Sequence, residues 1–163
     1  MIVIRKAKLN DINNIVELWL EGDDTQVDIV KKHSPQHLKD FNFKDDRIDI
    51  LKDFIKKTIF SNKSRIYLSE EDNKPFGYIK FSLVKNSPIS KIERFGRIDN
   101  IYIKKNYQGK EVSSKLKDEA FKWFKKKGVN RIQLFVFQDN IHAINVYKKW
   151  GFSTRLIEMR RSV

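Results

Sequence analysis

Residues 108–114 have the composition of a phosphate-binding turn. Their sequence, Gln-Gly-Lys-Glu-Val-Ser-Ser, follows an apolar stretch typical of a strand and precedes an amphipathic stretch typical of a helix. The first backbone N–H groups of a helix lack intrahelical acceptors, and the helix dipole favours an anion beside them. Gly109, Ser113 and Ser114 are small enough for a phosphate to approach those N–H groups, and Lys110 adds a positive charge. Taken alone, such a segment is more often an ordinary strand-to-helix turn.

A second motif follows in residues 139–152. Asp139 and Asn140 can cap a helix, and Ala143 and Tyr147 lie three and seven residues after Asn140. Residues with this spacing share one face of a helix. A Gly-Phe pair at 151 and 152 ends the motif. By itself Tyr147 is equally compatible with a core aromatic residue whose hydroxyl reaches the surface.

In this order, the two motifs resemble the GNAT superfamily of acyl-CoA-dependent N-acetyltransferases. The opening strand and helix, the strand at 98–103 and the ending Glu158-Met159-Arg160 also look like that family, so the resemblance covers essentially the whole chain. It implies an enzyme that moves an acetyl group from acetyl-CoA, as co-substrate, directly to a primary amine of a small molecule, peptide or protein. The lack of cysteine agrees with direct transfer, because the best acyl-accepting nucleophile is missing.

The resemblance also implies roles for individual residues. Backbone N–H groups of the first motif would bind the pyrophosphate of acetyl-CoA, and the preceding strand would bind its pantetheine arm. Asn140 would contact the cofactor, Tyr147 would protonate the departing thiolate, and Asp99 would act as general base for the amine. A surface carboxylate paired with a lysine is an equally good interpretation of Asp99. The implied cofactor-binding residues are Ile101, Tyr102, Ile103, Gln108, Gly109, Lys110, Glu111, Val112, Ser113, Ser114, Asn140 and Tyr147.

The first motif departs from the family pattern at two positions. Glu111 stands where the family has Gly, and Ser113 stands where it has Gly or Ala. Two like charges about 5 Å apart repel by several tenths of a kcal/mol in water and by more when desolvated. A side chain that points outward would avoid this cost. Otherwise cofactor binding is weakened or lost, so a non-catalytic protein that binds CoA or a partner is an alternative function.

The formal net charge of +13 is the unusual feature of the composition. It is typical of a protein with a polyanionic partner, or of one whose lysines coat a solvated surface. Residues 104–127 contain nine lysines against three acidic residues, a net charge of +6. This suits the phosphates of CoA, and it keeps a nucleic-acid-binding module as a third, less favoured function because no RNA-binding motif or zinc finger is present.

The acceptor site has only weak signals in the sequence. Acidic side chains after the first predicted helix could attract a cationic amine, although a solvated acidic loop explains them as well: Glu21, Asp23, Asp24 and Asp28. His33 and His37 are four residues apart, but Pro35 between them disfavours a shared helix, so we predict no metal site. His142 is expected to be structural.

The hydrophobic pattern predicts one domain over residues 1–163 of the α/β (α+β mixed sheet) class, a GNAT-like fold. The predicted order is β-α-α-β-β-β-α-β-α-β, with a central mixed sheet flanked by helices. Strands are predicted at 2–7, 65–69, 76–84, 94–104, 131–137 and 154–161. Helices are predicted from a cap at 10–11 to Gly22, from a cap at 45–46 to about Ile59, over 109–127, and from the cap at 139–140 to Gly151. Residues 23–44 are predicted to be irregular, forming a loop or short helical turns. Ile48, Leu51, Phe54, Ile55 and Ile59 are expected on the buried face of the second helix.

Composition excludes several other classes. Without cysteine there are no disulfides and no thiolate zinc sites. No apolar run is long enough to span a membrane, and the N-terminal residues become charged too soon for a secretory leader. We therefore expect a cytoplasmic protein, monomeric or homodimeric, with no membrane partner.

Overall fold

The computed structural model describes residues 1–161, in which helices cover both faces of a five-stranded mixed sheet. The strands are β1 (Ile2–Lys6), β2 (Ser64–Glu71), β3 (Lys74–Lys85), β4 (Arg94–Ile103) and β5 (Ile132–Leu134). The helices are α1 (Ile12–His33), α2 (Arg47–Phe60), α3 (Val112–Lys126) and α4 (Ile141–Lys149). Short 3₁₀ turns occupy Leu9–Asp11, Pro35–Phe41 and Lys105–Tyr107. The predicted mixed α/β architecture is confirmed.

The strands lie in the sheet in chain order, β1 to β5. Strands β1 to β4 pair with one another in antiparallel fashion, and β5 runs parallel to β4. Asp72 and Asn73, with φ of 49° and 61°, form the two-residue turn between β2 and β3, as expected of residue types that tolerate positive φ. The parallel pair follows from the α3 crossover between β4 and β5.

Two apolar clusters fix the sheet between its helices. On one face, Ile79 and Phe81 of β3 pack with Leu116 and Phe124 of α3. On the other face, Leu68 and Tyr78 belong to a cluster that also holds Ile15 and Leu18 of α1 and Ile55 of α2. Alternate residues of β3 therefore belong to different cores, and both faces of the central strand are buried.

Helix α1 is eleven residues longer than predicted, since it ends at His33 and not at Gly22. Gly22 is accommodated inside the helix because the ring of Tyr102 lies where a side chain would be, 3.3 Å from the position of a Cβ atom. Val30, in the last turns, is fully buried. The prediction of an irregular segment over 23–44 was therefore wrong up to residue 33; beyond it, a 3₁₀ turn covers Pro35–Phe41.

The predicted last strand at 154–161 is not formed, and β5 is three residues long instead of the predicted seven. Leu156, Ile157 and Met159 are 73 %, 82 % and 91 % exposed. A strand needs a hydrogen-bonding neighbour, and β5 ends at Leu134, so this part of the chain has no adjacent strand to pair with. Phe135, directly after β5, is also largely exposed.

The other predicted elements agree with the structure within a few residues. In α2, Ile55 is buried as expected, whereas Ile48 and Phe54 are 44 % and 42 % exposed and do not belong to the core. Gly128 and Gly151, which the sequence predicted as helix ends, both have positive φ.

Within residues 1–161, no helix is both long and apolar enough to cross a lipid bilayer.

Candidate active site

The two parallel strands separate beside the first predicted motif. Strands β4 and β5 pair only from Gly96 opposite Ile132 to Ile98 opposite Leu134. Strand β4 continues to Ile103, and in the described part of the chain its edge has no strand partner from residue 99 onward. The backbone groups along such an edge can pair with an extended ligand, as they would with another strand. This edge includes Ile101, Tyr102 and Ile103.

A β-bulge lies where the separation begins. Lys80 is opposite Asn100 and Phe81 is opposite Ile98, so Asp99 is the extra residue on β4. The Asp99 carboxylate accepts from Lys80 Nζ at 2.8 Å and from Arg97 Nε at 2.5 Å. The lysine side chain is only 7 % exposed. These contacts give Asp99 a structural role, because a buried ammonium group needs a counter-ion.

The loop between β4 and α3 is held by side chains on both sides. Gln108 donates its amide N–H to the carbonyl oxygen of Ile103 at 2.9 Å. The ring of Tyr107 stacks on Phe76 with centroids 3.7 Å apart, and its hydroxyl donates to Glu71. Gln108 is therefore used to shape the loop, which positions the residues that follow.

The space in front of α3 is open. Gly109 has φ of +76°, and a Cβ added to it would meet nothing within 4 Å. Val112 is buried and anchors the first turn, while Ser113 and Ser114 are partly exposed. No side chain caps this end of the 15-residue helix. The first-turn N–H groups thus lack intrahelical partners, as an anion-binding helix N-terminus requires.

Glu111 is the N-cap residue of α3 and has a left-handed backbone, with φ of 59° and ψ of 7°. This conformation is normally left to Gly, because a Cβ atom approaches the backbone too closely. The side chain is exposed and has no ion-pair partner among the described residues. Lys110, beside it, places its ammonium group 5.1 Å from the ring centroid of Tyr107.

Tyr147 lies on α4 against Trp150 and Phe152, with ring centroids 5.4 Å and 6.3 Å away. Burial raises the pKa of the Tyr147 phenol to about 12, because the charged phenolate is disfavoured away from water. The phenol is therefore protonated throughout the physiological pH range and can donate a hydrogen bond.

Asn140 is the N-cap of α4 and not a residue of its face. Its side-chain oxygen accepts from the backbone N–H of Ala143 at 3.1 Å, and its amide group donates to Gln26 on α1 at 3.2 Å. The spacing of Asn140 and Ala143 is thus explained by capping. The contact with Gln26 ties α4 to α1.

The acidic residues predicted as an amine-attracting loop lie on α1. Glu21 accepts from the hydroxyl of Tyr102 at 3.2 Å and pairs with Lys104 at 3.0 Å. Asp24 and Asp28 are exposed. Tyr102 therefore directs its side chain toward α1, so a cofactor could meet only its backbone.

Asp23 differs from its acidic neighbours because it lines a pocket of about 420 Å³ between α1 and α2. Burial raises its pKa to about 6. The pocket walls include Trp19, Phe43 and Phe54. The sequence did not predict this pocket because the first helix was predicted to end at Gly22, before Asp23. Extending the helix would have placed Asp23 four residues after Trp19, on the same face.

His33 and His37 lie in different surroundings. His37 faces Asp40 at 3.9 Å, and His33 lines a different cavity, together with His142. Among residues 1–161, no group of three or more His, Asp or Glu side chains is arranged to hold a metal ion.

Solved structures share this fold over nearly the whole chain. A mutant of the BH1408 protein from Bacillus halodurans superposes with a TM-score of 0.80 at 16 % identity, covering 99 % of both chains. A predicted acetyltransferase from Clostridium acetobutylicum, solved with acetyl-CoA, superposes with a TM-score of 0.71 at 21 % identity, covering 98 % of this chain and 96 % of the other. At these identities the likeness concerns the fold alone.

The chain belongs to the acetyltransferase (GNAT) family, whose sequence model matches residues 27–152. Among curated relatives, the uncharacterized N-acetyltransferase YobR of Bacillus subtilis is 32 % identical over 76 residues, which is 47 % of this chain and 31 % of the relative. The match with a second, archaeal relative from Methanocaldococcus jannaschii covers 39 % of that protein. The chain thus matches only about a third of the length of its curated relatives.

Proposed function

We propose that this chain is an N-acetyltransferase that moves the acetyl group of acetyl-CoA directly to a primary amine. One observation carries the proposal: the edge of β4 left free by β5 leads through an open glycine turn into the uncapped start of α3. A pantetheine arm can pair with the free edge while its diphosphate meets the amides of α3. A single catalytic domain over residues 1–163 and a cytoplasmic location are parts of the same proposal.

The residues at this site fit acetyl-CoA in shape and, apart from Glu111, in charge. Gly109 leaves room for a phosphate, and Lys110 is exposed beside it. The exposed lysines of α3 can attract the remaining phosphate charge. Pyrophosphate binding by the amides of Val112, Ser113 and Ser114 is the arrangement that this geometry supports best.

In the reaction the thioester C–S bond breaks, an amide C–N bond forms, the amine loses a proton, and the sulfur gains one. We assign Tyr147 as the donor to the departing sulfur because it occupies the position in the α4 motif for which the family resemblance implies that role, and its phenol carries the proton needed. Asn140 is proposed to contact the cofactor from the start of α4. Asp99 remains the proposed acceptor of the amine proton, acting from the bulge that begins the free edge; one of its ion pairs with Lys80 and Arg97 must open for it to accept that proton.

Titration calorimetry with acetyl-CoA, followed by a thiol-release assay with a panel of primary amines, tests the proposal. We expect sub-millimolar binding and amine-dependent release of CoA thiol, with thiol release in the absence of amine as the background. The same titration is repeated on Gly109→Val, which should lose acetyl-CoA binding because a bulky side chain in that open turn would block the diphosphate.

Two other results would point to different functions. Binding without amine-dependent thiol release would identify a non-catalytic CoA-binding protein, an alternative favoured by the Glu111 carboxylate at the anion site. An absence of acetyl-CoA binding, together with steeply salt-dependent binding of DNA or RNA, would identify a basic nucleic-acid-binding module.

A further inference from the structure

The pocket between α1 and α2 is lined by charged side chains that form no hydrogen bond or ion pair within residues 1–161. Asp23 is half-buried and accepts no hydrogen bond from a described residue; burial raises its pKa, and the nearby charge of Arg47 partly opposes that rise. Lys44 is exposed, Arg47 is partly exposed, and neither forms an ion pair with a described residue. Withdrawing a carboxylate from water without such a partner is costly, and a bound ligand can supply the missing contacts.

The rest of the pocket is apolar and largely aromatic. Trp19 and Phe54 meet edge to face with centroids 6.0 Å apart, and the guanidinium of Arg47 lies 4.6 Å from the ring centroid of Phe43. Phe43, Ile50 and Phe54 are 41 %, 47 % and 42 % exposed around the opening. A volume of about 420 Å³ lies within the range of small-molecule sites.

Direct contacts connect this pocket with the free edge of β4. The ring of Phe54 lies 5.0 Å from Lys80 Nζ, and Lys80 pairs with Asp99 in the bulge. On the other side, Trp19 stacks on Tyr78 with centroids 5.7 Å apart. The hydroxyl of Tyr78 is buried without a hydrogen-bond partner. Phe54 and Lys80 therefore link the pocket to the bulge at which the free edge of β4 begins.

We infer that this pocket binds the acceptor, and that the acceptor is a primary amine carrying a carboxylate and an apolar group, as in an aromatic or branched α-amino acid. Asp23 binds the ammonium group, Arg47 and Lys44 bind the carboxylate, and Trp19 and Phe54 contact the apolar group. A carboxylate and two cationic side chains on the lining of one aromatic pocket complement such a zwitterion. This inference rests on the proposed transferase function.

Binding to the free protein is measured by calorimetry with three probes: L-phenylalanine, 2-phenylethylamine, which lacks the carboxylate, and 3-phenylpropionate, which lacks the amine. We expect L-phenylalanine to bind at least about tenfold more tightly than either analogue, since each analogue gives up one of the two charged contacts. Asp23→Asn should remove the advantage over 3-phenylpropionate, and Arg47→Gln should reduce the advantage over 2-phenylethylamine, with Lys44 supplying the remainder.

Matched controls are Asp118→Asn, an exposed residue on α3, and Lys52→Gln, an exposed residue on α2; both should leave binding unchanged. Circular dichroism establishes that each variant is folded. Equal binding of the three probes, no binding, or equal effects of the pocket and control variants would overturn the inference.

A separate measurement of acetyl-CoA turnover distinguishes failure of the pocket assignment from failure of the transferase function. Turnover with simple amines and no preference for L-phenylalanine would refute the pocket assignment and leave the transferase function intact. Binding of L-phenylalanine that depends on Asp23 and Arg47, without any acetyl transfer, would refute the transferase function and keep the pocket.

Discussion

Glu111 offers the sharpest test of the anion site, because its backbone and its charge can be changed separately. Its left-handed conformation costs a residue with a Cβ atom about 1–2 kcal/mol. Glycine avoids that cost but loses about 0.5–1 kcal/mol through the greater entropy of the unfolded chain. Glu111→Gly should therefore raise the free energy of unfolding by about 0.5–1 kcal/mol, which corresponds to an increase in Tm of about 1–4 °C.

The charge of Glu111 acts on cofactor binding. A carboxylate about 5 Å from one unit of phosphate charge repels it by about 0.8 kcal/mol in water, or about fourfold in Kd. Glu111→Gly and Glu111→Gln both remove this repulsion. Calorimetry with acetyl-CoA should thus show tighter binding for both variants, with a larger gain at 20 mM salt than at 200 mM salt because ions screen the charge.

Glu111→Gln is the matched control, since it removes the charge and keeps the Cβ atom. It should improve affinity and leave Tm unchanged. An unchanged Kd for both variants at low salt would refute repulsion between the Glu111 carboxylate and the bound diphosphate. An unchanged Tm for Glu111→Gly would show that the left-handed backbone carries no cost.

Four further substitutions test the roles of Tyr147, Asp23, Asp11 and Gly96. Tyr147→Phe should lower kcat about tenfold or more with little change in the Kd of acetyl-CoA, and unchanged turnover would exclude Tyr147 from proton donation. Asp23→Asn should raise the free energy of unfolding by up to about 3 kcal/mol at pH 8, because burial raises the pKa of Asp23 to about 6. This stabilisation should develop between about pH 4 and 6 and vanish below that range, which urea unfolding at several pH values would measure. Asp11 is buried, and its carboxylate accepts two hydrogen bonds of 2.8 Å from the guanidinium of Arg5. Asp11→Asn should cost about 2 kcal/mol at pH 7 and progressively less as the pH falls below about 4, because these hydrogen bonds lower the pKa of Asp11; a pH-independent loss would contradict this. Gly96→Ala should cost about 1–3 kcal/mol, since the new Cβ would lie 2.7 Å from the ring of Phe124; full stability in thermal unfolding would show that the ring can move.

The local signals in the sequence predicted much of the fold. Hydrophobic periodicity located α3 and the central strands, and glycines marked helix ends at 128 and 151. The motif at residues 108–114 was correctly placed at a strand-to-helix junction. These features depend on neighbouring residues in the chain, so a single sequence contains the information needed to recognise them.

The contacts of individual site residues could not be predicted in this way. Asn140 caps α4 and holds Gln26, and Asp99 is paired with Lys80 from the neighbouring strand. Each contact joins residues distant in sequence, and periodicity carries no information about such pairs. The predicted roles in catalysis and cofactor binding were drawn from family resemblance, and they remain predictions.

The sequence by itself determined the element types, the strand-to-helix junction that can receive an anion, and the strongly basic charge. Only the tertiary structure decided that α1 continues past Gly22, that residues 154–161 form no strand, and that Asp23 and Arg47 line one aromatic pocket. Helix propensity and capping act over a few residues, whereas burial, strand pairing and the environment of a charge depend on which distant segments pack together.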